Sequence, residues 1–475
     1  MTDGAAGVAE PTAPGGRRRR PGAGRRGQTS RSRTAAALAW CSLAVAIALS
    51  VPVLVVAAHL VLPAESEIWG HLAATVLPRY VINTVWLVLG VGLIAPVIGT
   101  GTAWLVTMCR FPGRRLFEWA LILPLAVPAY VMAYAYTDFL AVGGPVQTAL
   151  RAVLDTGPQG YWFPRVRSLP GAVAMLSFVL YPYIYLLARS SFIEQSVCAL
   201  EVGRTLGCGR WGSFFRVALP LARPSIVGGT ALVLMETLSE FGTVKYFGVQ
   251  TFTTGIVRAW TAFGDPVAAS QLATMLLGFV FAVLVLERVS RGRARYHHTS
   301  ARYRRLPRYV LSPVKQGLAV TACTVPVLAG FLLPVAILGG MTIRAANRPY
   351  ALNFLEMAQN SFSLAAITAV LAVILATVMV YARRLRPGPA STVAARVVAL
   401  GYAVPGPVIA IGILVPTTAI ENTLDAWSRE HLGIALGLIF TGTIAALVVA
   451  YLVRFLAVSL HTMEASLAKV RPTME

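Results

Sequence analysis

The side chains best suited to chemistry lie inside apolar runs. Glu236 and Glu240 stand four apart in a segment read as a membrane span over residues 224–245, with Ser239 and Thr243 close by. Tyr130, Tyr134, Tyr136 and Asp138 follow Pro128 in another such run. Carboxylate and phenol oxygens are the donors a hard cation prefers, and a charge set in hydrocarbon is costly enough that it faces a cavity or a partner. Two readings stay open for Glu236, Glu240, Tyr134 and Asp138. They line a translocation path, with or without a transient metal site, or they hold helices together and meet water at the span ends.

Other chemistries lack their residues. A Walker A loop needs Lys followed by Ser or Thr after a Gly-rich turn, whereas Lys245, Lys315 and Lys469 precede Tyr, Gln and Val. The chain is therefore expected not to hydrolyse ATP and to hold no catalytic residue, cofactor or resident metal. His297-His298 sit among Arg291, Arg293, Arg295 and Arg302 and read as a solvated linker. Cys41, Cys109, Cys198, Cys208 and Cys323 show no metal-ligand spacing. A membrane enzyme would need Asp, Glu or His converging at one membrane face, and no such cluster is visible. A secondary transporter would need ion-coupling charges in both halves of the chain, and the spans of the second half have very few acids.

The positioning elements follow from composition. Across 475 residues, 56% are hydrophobic and only 13% charged, the mean hydropathy is +0.68, and apolar runs near membrane-span length recur. The sequence thus predicts an all-α polytopic membrane protein with about ten transmembrane helices, over residues 35–62, 80–109, 115–141, 169–193, 224–245, 266–290, 315–343, 358–382, 392–420 and 432–459. The net charge of +22 comes from arginine clusters between spans, as the positive-inside rule expects, and not from a nucleic-acid interface. An N-terminus inside puts Arg110/Arg114/Arg115, Arg288–Arg308 and Arg383/Arg384/Arg386 on the cytoplasmic side. It leaves Glu421, Asp425 and Glu430 in an outer loop. The loop 143–167 predicts a short interfacial helix followed by an anchoring Tyr161-Trp162-Phe163 cluster.

An internal repeat organises these spans. NTVWLVLGVGLIAPVIGTGTAWLV from Asn83 resembles NSFSLAAITAVLAVILATVMVYA from Asn360 at an offset of 277, which also carries Val127-Pro128 onto Val404-Pro405. Pro112-Gly113 and Pro387-Gly388 match at 275. Both halves start on the same side, so they are parallel repeats about an axis along the membrane normal. The predicted domains are a disordered Arg-rich cytoplasmic tail (1–34), an extra span and outer loop (35–79), and a first half (80–290). A basic linker (291–314), a second extra span and loop (315–357) and an incomplete second half (358–475) follow.

Between two spans of the first half lies SVCALEVGRTLGCGRWGSFFRVALPLARPSI, residues 196–226. It reads as a cap at Ser196, a short helix to Leu206, a break at Gly207, a second helix with Trp211, Phe214 and Phe215, then Leu219-Pro220. Val197, Leu200 and Leu206 give it an apolar edge, and Glu201 and Arg204 give it charges. This layout suits a helix docking in a partner's groove. The repeat aligns Leu200-Glu201 with Met474-Glu475, so the second loop starts where the chain stops. Its completion would need roughly 90 further residues by the repeat, and the chain is expected to be a fragment rather than a truncated product.

The segment Glu201-Val202-Gly203, with Gly207 and Leu219-Pro220 at their spacings, resembles the cytoplasmic Glu-Ala-Ala coupling loop of ABC importer permeases. Val202-Gly203 depart from the family's two alanines. PLAVPAYVMAYAYTDFL (124–140), LYPYIYLLARSSFIEQS (180–196), LMETLSEFGTVKYFGVQTFTTGIVRAW (234–260) and SRGRARY (290–296) are similar to the fused-half permeases of ferric-iron ABC importers. The resemblance implies two tandem type I permease repeats, the second incomplete, in a bacterial cytoplasmic (inner) membrane. Leu200, Glu201, Gly203, Arg204, Gly207, Leu219 and Pro220 would then contact an ABC ATPase subunit dimer carrying ATP and Mg. Fe(III) would arrive from an extracytoplasmic iron-binding protein, and lipid would be the remaining partner. Thiamine, polyamine, sulfate or phosphonate are alternative cargoes.

Overall fold

The structure is a computed structural model that describes residues 23–59, 66–158, 160–194, 212–291, 308–345, 353–385 and 387–467. Its helices are α1 (Ala23–Ala58), α2 (Ser66–Thr75), α3 (Leu77–Met108), α4 (Arg114–Ala120), α5 (Ala129–Leu140), α6 (Pro145–Leu154), α7 (Leu169–Glu194), α8 (Leu219–Ser239), α9 (Gly242–Tyr246), α10 (Phe252–Thr261) and α11 (Pro266–Arg291). After the linker come α12 (Pro313–Val327), α13 (Leu333–Ala345), α14 (Phe354–Leu385), α15 (Pro389–Leu400), α16 (Gly406–Leu432) and α17 (Ile444–Leu467). A two-residue parallel pair joins β1 (Cys109–Arg110) to β2 (Tyr309–Val310). Among the described residues, nine helices are long and apolar enough to cross a membrane, or ten if one bent pair counts as a span.

That bent pair, Arg114–Ala126 and Ala129–Leu154, meets at 91°, so the predicted span 115–141 is broken. Pro128 cannot donate to a helix ladder and pushes Val127 out of helical geometry, to φ −100° and ψ 114°. Val404, before Pro405, adopts φ −75° and ψ 125°, which likewise breaks the predicted span 392–420. The repeat survives at the level of single bonds. Val127 N–H donates to Pro124 and Val404 N–H to Gly401, while Pro128 and Pro405 each accept from residues three and four ahead. The basic turn is not repeated: Gly113 is left-handed (φ 72°) and Gly388 extended (φ −159°).

Other boundaries move for local reasons. Helix α1 begins at Ala23, so residues 23–34 are helical and not a disordered tail. Their alanines and arginines are good helix formers continuous with the span. The predicted outer-loop acids Glu421, Asp425 and Glu430 lie within the last turns of α16. There Glu421 and Asp425 accept backbone N–H groups of Phe440, Thr441 and Gly437 from the loop that follows. The last span accordingly runs over 444–467 rather than 432–459. Helix α6 and exposed Trp162 occupy the predicted interfacial segment.

In lipid, apolar area alone does not hold helices together; close packing of small residues and interhelical hydrogen bonds do. Helices α3 and α7 make the most extensive contact of the first half, and α14 and α17 that of the second. A Cβ on Gly99 of α3 would stand 2.8 Å from the carbonyl of Tyr181 and 3.0 Å from the Tyr185 nitrogen, so a side chain there is excluded by backbone. The extra spans exchange partners. Helix α1 packs on α14, α15 and α16 of the second half, whereas α12, α13 and the π segment Leu328–Leu332 between them pack on α3, α4, α5 and α7 of the first. Gly412 of α16 lies against the Pro52 carbonyl with no room for a Cβ. The carbonyl of Ala329, 277 residues after Pro52, accepts the Tyr136 hydroxyl at 2.6 Å.

Candidate functional site

Two places gather functional side chains. One is the footing of the loop between α7 and α8. Leu200, Glu201, Gly203, Arg204 and Gly207 fall outside the described residues, as do Met474 and Glu475. Leu219 and Pro220 do not sit in a loop. Helix runs from Gly212, twelve residues before the predicted span, through a π-helical turn over Ser213–Ala218 and into α8. The wider turn lets the Leu219 N–H reach the Phe214 carbonyl, just ahead of Pro220, which has no donor of its own.

Both feet of the loop rest on Trp104 of α3. Phe192, near the end of α7, meets its ring edge-on at 5.5 Å between centroids, and Phe214, after the loop, approaches at 4.9 Å. Tyr309 of β2 adds a third ring at 6.3 Å. Such pairs contribute about 0.5–1.5 kcal/mol each beyond burial. One buried indole therefore joins the two helix ends that flank the loop to the strand that follows the linker. Phe214 was singled out in the sequence; Trp104 was not, because nothing local marks one tryptophan in a span as a hub.

The second place bridges the halves. Glu236 of α8 accepts from Arg454 of α17 at 2.7 Å and from the Tyr402 hydroxyl at 3.0 Å. Both charged side chains keep only about a fifth of their surface, 21% and 19%. The guanidinium also lies over the Tyr402 and Phe455 rings, with centroids at 5.9 and 5.8 Å. Its Nε is buried without a partner among the described residues. Nothing local in the sequence pairs Arg454 and Tyr402 with Glu236, although an arginine inside an apolar run is as costly as an acid.

The other path residues are not brought together. Helix α8 ends at Ser239 and Glu240 is extended (ψ 125°), so Glu236 and Glu240 do not share a helix face as their spacing suggests. The Glu240 carboxylate instead accepts the Thr243 N–H at 2.7 Å. It borders a cavity of about 10 Å³ walled by Thr84, Thr237, Thr251 and Thr253, room for one water. Tyr134 is 47% exposed and meets Tyr246 edge-on at 6.1 Å. Asp138 is exposed one turn further along α5. Tyr136 is buried on α13's side of the helix and serves packing.

Among the described residues the architecture is that of a multi-pass helical membrane protein with broken spans. Residues 95–293 match the family model described as "Binding-protein-dependent transport system inner membrane component". It is 25% identical over 403 residues to the Fe(3+)-transport system permease protein FbpB 2 of Haemophilus influenzae, covering 83% of this chain and 71% of that one. The Molybdenum transport system permease protein ModB of Escherichia coli (strain K12) is 29% identical over 204 residues, 40% of this chain and 85% of its own. The Sulfate transport system permease protein CysT of the same strain is 31% identical over 150 residues, 32% of this chain and 51% of its own.

Proposed function

We propose that this chain is the permease subunit of an ATP-driven importer that passes ferric iron from an extracytoplasmic binding protein to the cytoplasm. The observation that carries the cargo is coverage. The likeness to an Fe(3+) permease runs over 83% of the chain, whereas those to molybdenum and sulfate permeases run over 40% and 32%. On this reading residues 80–290 and 358–475 are two parallel permease halves, the N-terminus is cytoplasmic, and the arginine clusters flank the cytoplasmic face. ATP and Mg belong to a separate pair of ATPase subunits.

The proposed mechanism is alternating access. ATPase closure moves the loop carrying Glu201 and Gly207, and the Trp104 footing passes that movement to α3, α7 and α8. The halves then rock about their shared face, where the Glu236–Arg454 pair must loosen. Glu236 thus acts in the contact between halves, while exposed Tyr134 and Asp138 stay as path-lining groups.

Uptake in proteoliposomes holding the chain, its ATPase and its binding protein tests the cargo. Labelled Fe(III) is expected to accumulate with ATP; accumulation of labelled sulfate or molybdate without iron would overturn the assignment. Glu201→Ala and Gly207→Leu are expected to leave ATP hydrolysis running while uptake falls at least tenfold, a coupling loss of about 1.4 kcal/mol. Normal uptake in both variants would remove the coupling role.

A further inference from the structure

The turn after α3 carries a concentration of positive charge that its neighbours do not neutralise. Parallel pairing of β1 with β2 sets Arg110 beside Val310 and brings Arg308 to the same edge. Arg114 is turned inward onto the Val106 carbonyl at 2.9 Å and onto Glu118. Arg189 of α7 reaches that same carboxylate at 3.8 Å, and its Nε has no partner among the described residues. Glu118 is thus shared by two guanidiniums, while Arg110, Arg115 and Arg308 point outward and exposed. Partial desolvation lowers the Arg308 guanidinium from its usual range although its surface is exposed, and the cation of Arg114 lowers it further, opposed by Glu118 and joined by Arg110 and Arg115.

Beside this charge lies an apolar face. Leu116 and Trp119, three apart on α4, are 69% and 76% exposed. Helix α4 starts six residues after a 32-residue helix of membrane-spanning length ends, and exposed tryptophan next to a span end is at home among lipid headgroups. A small soluble anion would answer the arginines and leave Trp119 and Leu116 bare. An acidic protein surface would not enter the acyl boundary. An amphiphile answers both.

We propose that this rim binds an anionic phospholipid, its phosphate on Arg110, Arg115 and Arg308 and an acyl chain along Leu116 and Trp119. The lipid would clamp the linker strand β2 against the first half, since Arg308 comes from the linker and the other groups from the α3–α4 turn. Basic residues at a membrane surface add about 1 kcal/mol each toward anionic lipid, so each arginine is worth roughly a fivefold preference.

The test uses the full chain in nanodiscs of phosphatidylcholine with a minor fraction of brominated phosphatidylglycerol or brominated phosphatidylcholine. Trp119 fluorescence is isolated by subtracting the Trp119→Phe variant. Brominated phosphatidylglycerol is expected to quench Trp119 at a severalfold lower fraction than brominated phosphatidylcholine. Arg110→Gln with Arg308→Gln should abolish most of that preference, and Arg115→Lys should retain it. Unchanged gel-filtration profiles of the variants verify folding; should the double variant misfold, Arg115→Gln alone is read for its roughly fivefold loss. Equal quenching by the two lipids, a preference indifferent to the arginines, or its loss on adding inorganic phosphate would each overturn the proposal, the last by assigning the site to a soluble anion.

Discussion

At Glu236 a single carboxylate answers a guanidinium and a phenol from the other half of the molecule. Removing one partner leaves the other charge half-desolvated, a loss of about 3–5 kcal/mol for a fully buried pair. With about a fifth of each side chain still exposed, Glu236→Gln should cost about 2 kcal/mol, read as a lowered thermal midpoint of the solubilised protein. Glu236→Gln with Arg454→Met should recover part of the loss, and a double mutant as unstable as the sum of the singles would deny the coupling. Trp104 is the second residue-scale test. Trp104→Ala removes the ring shared by Phe192 and Phe214 and should cost about 3–5 kcal/mol, whereas Trp104→Phe should retain most of the stability. Trp104→Ala indistinguishable from wild type in the same melt would refute the footing.

Elements show which irregularities are built in. The π turn at Ser213–Ala218 precedes Pro220, and the π segment Leu328–Leu332 follows Pro326. In each, the widened turn rehouses donors displaced around a proline. Ala329 lies in the second of these segments, which leaves its carbonyl open to Tyr136. Tyr136→Phe is expected to cost about 0.6–1.7 kcal/mol, the range for interhelical hydrogen bonds in membranes. Chemical denaturation in mixed micelles would measure it, and no change would mean the bond adds nothing. At the α3–α7 crossing, Gly99→Val meets backbone atoms of Tyr181 and Tyr185 that no rotamer change can move aside. A cost of about 1–3 kcal/mol, or more, is expected. An unshifted melting curve would show that the two helices can separate freely at that point.

Over the whole molecule the halves are interlocked. Three cores reflect this: one within the first half joined by α12, one within the second joined by α1, and one between them built from α8, α10, α11 and α16. Gly412→Val, whose side chain would meet the Pro52 backbone of α1, should therefore lower the thermal midpoint of the solubilised protein, at a cost of about 1–3 kcal/mol or more. An unshifted melting curve would refute the packing of α1 on the second half. Neither a linear list of spans nor the offset of 277 reveals such an exchange. The order of spans along the chain says which helices are consecutive and is silent on which ones touch.

The residues by themselves determined that the chain is a helical membrane protein, where most spans lie and that Val127-Pro128 recurs as Val404-Pro405. Those properties are local: hydropathy, helix length and the missing donor of proline act within a few residues. Glu236 was legible as costly, and Phe214 as part of a structured loop, for the same reason. Only the tertiary structure decided that Glu236 answers Arg454, that Glu240 caps a helix instead of joining Glu236 on one face, and that Trp104 receives both ends of the loop. Each of these depends on helices far apart in the chain coming within a few ångströms. In a lipid-facing bundle those meetings are set by small residues, carbonyls left open by prolines and scarce polar partners, a selection that leaves no periodic trace along the chain.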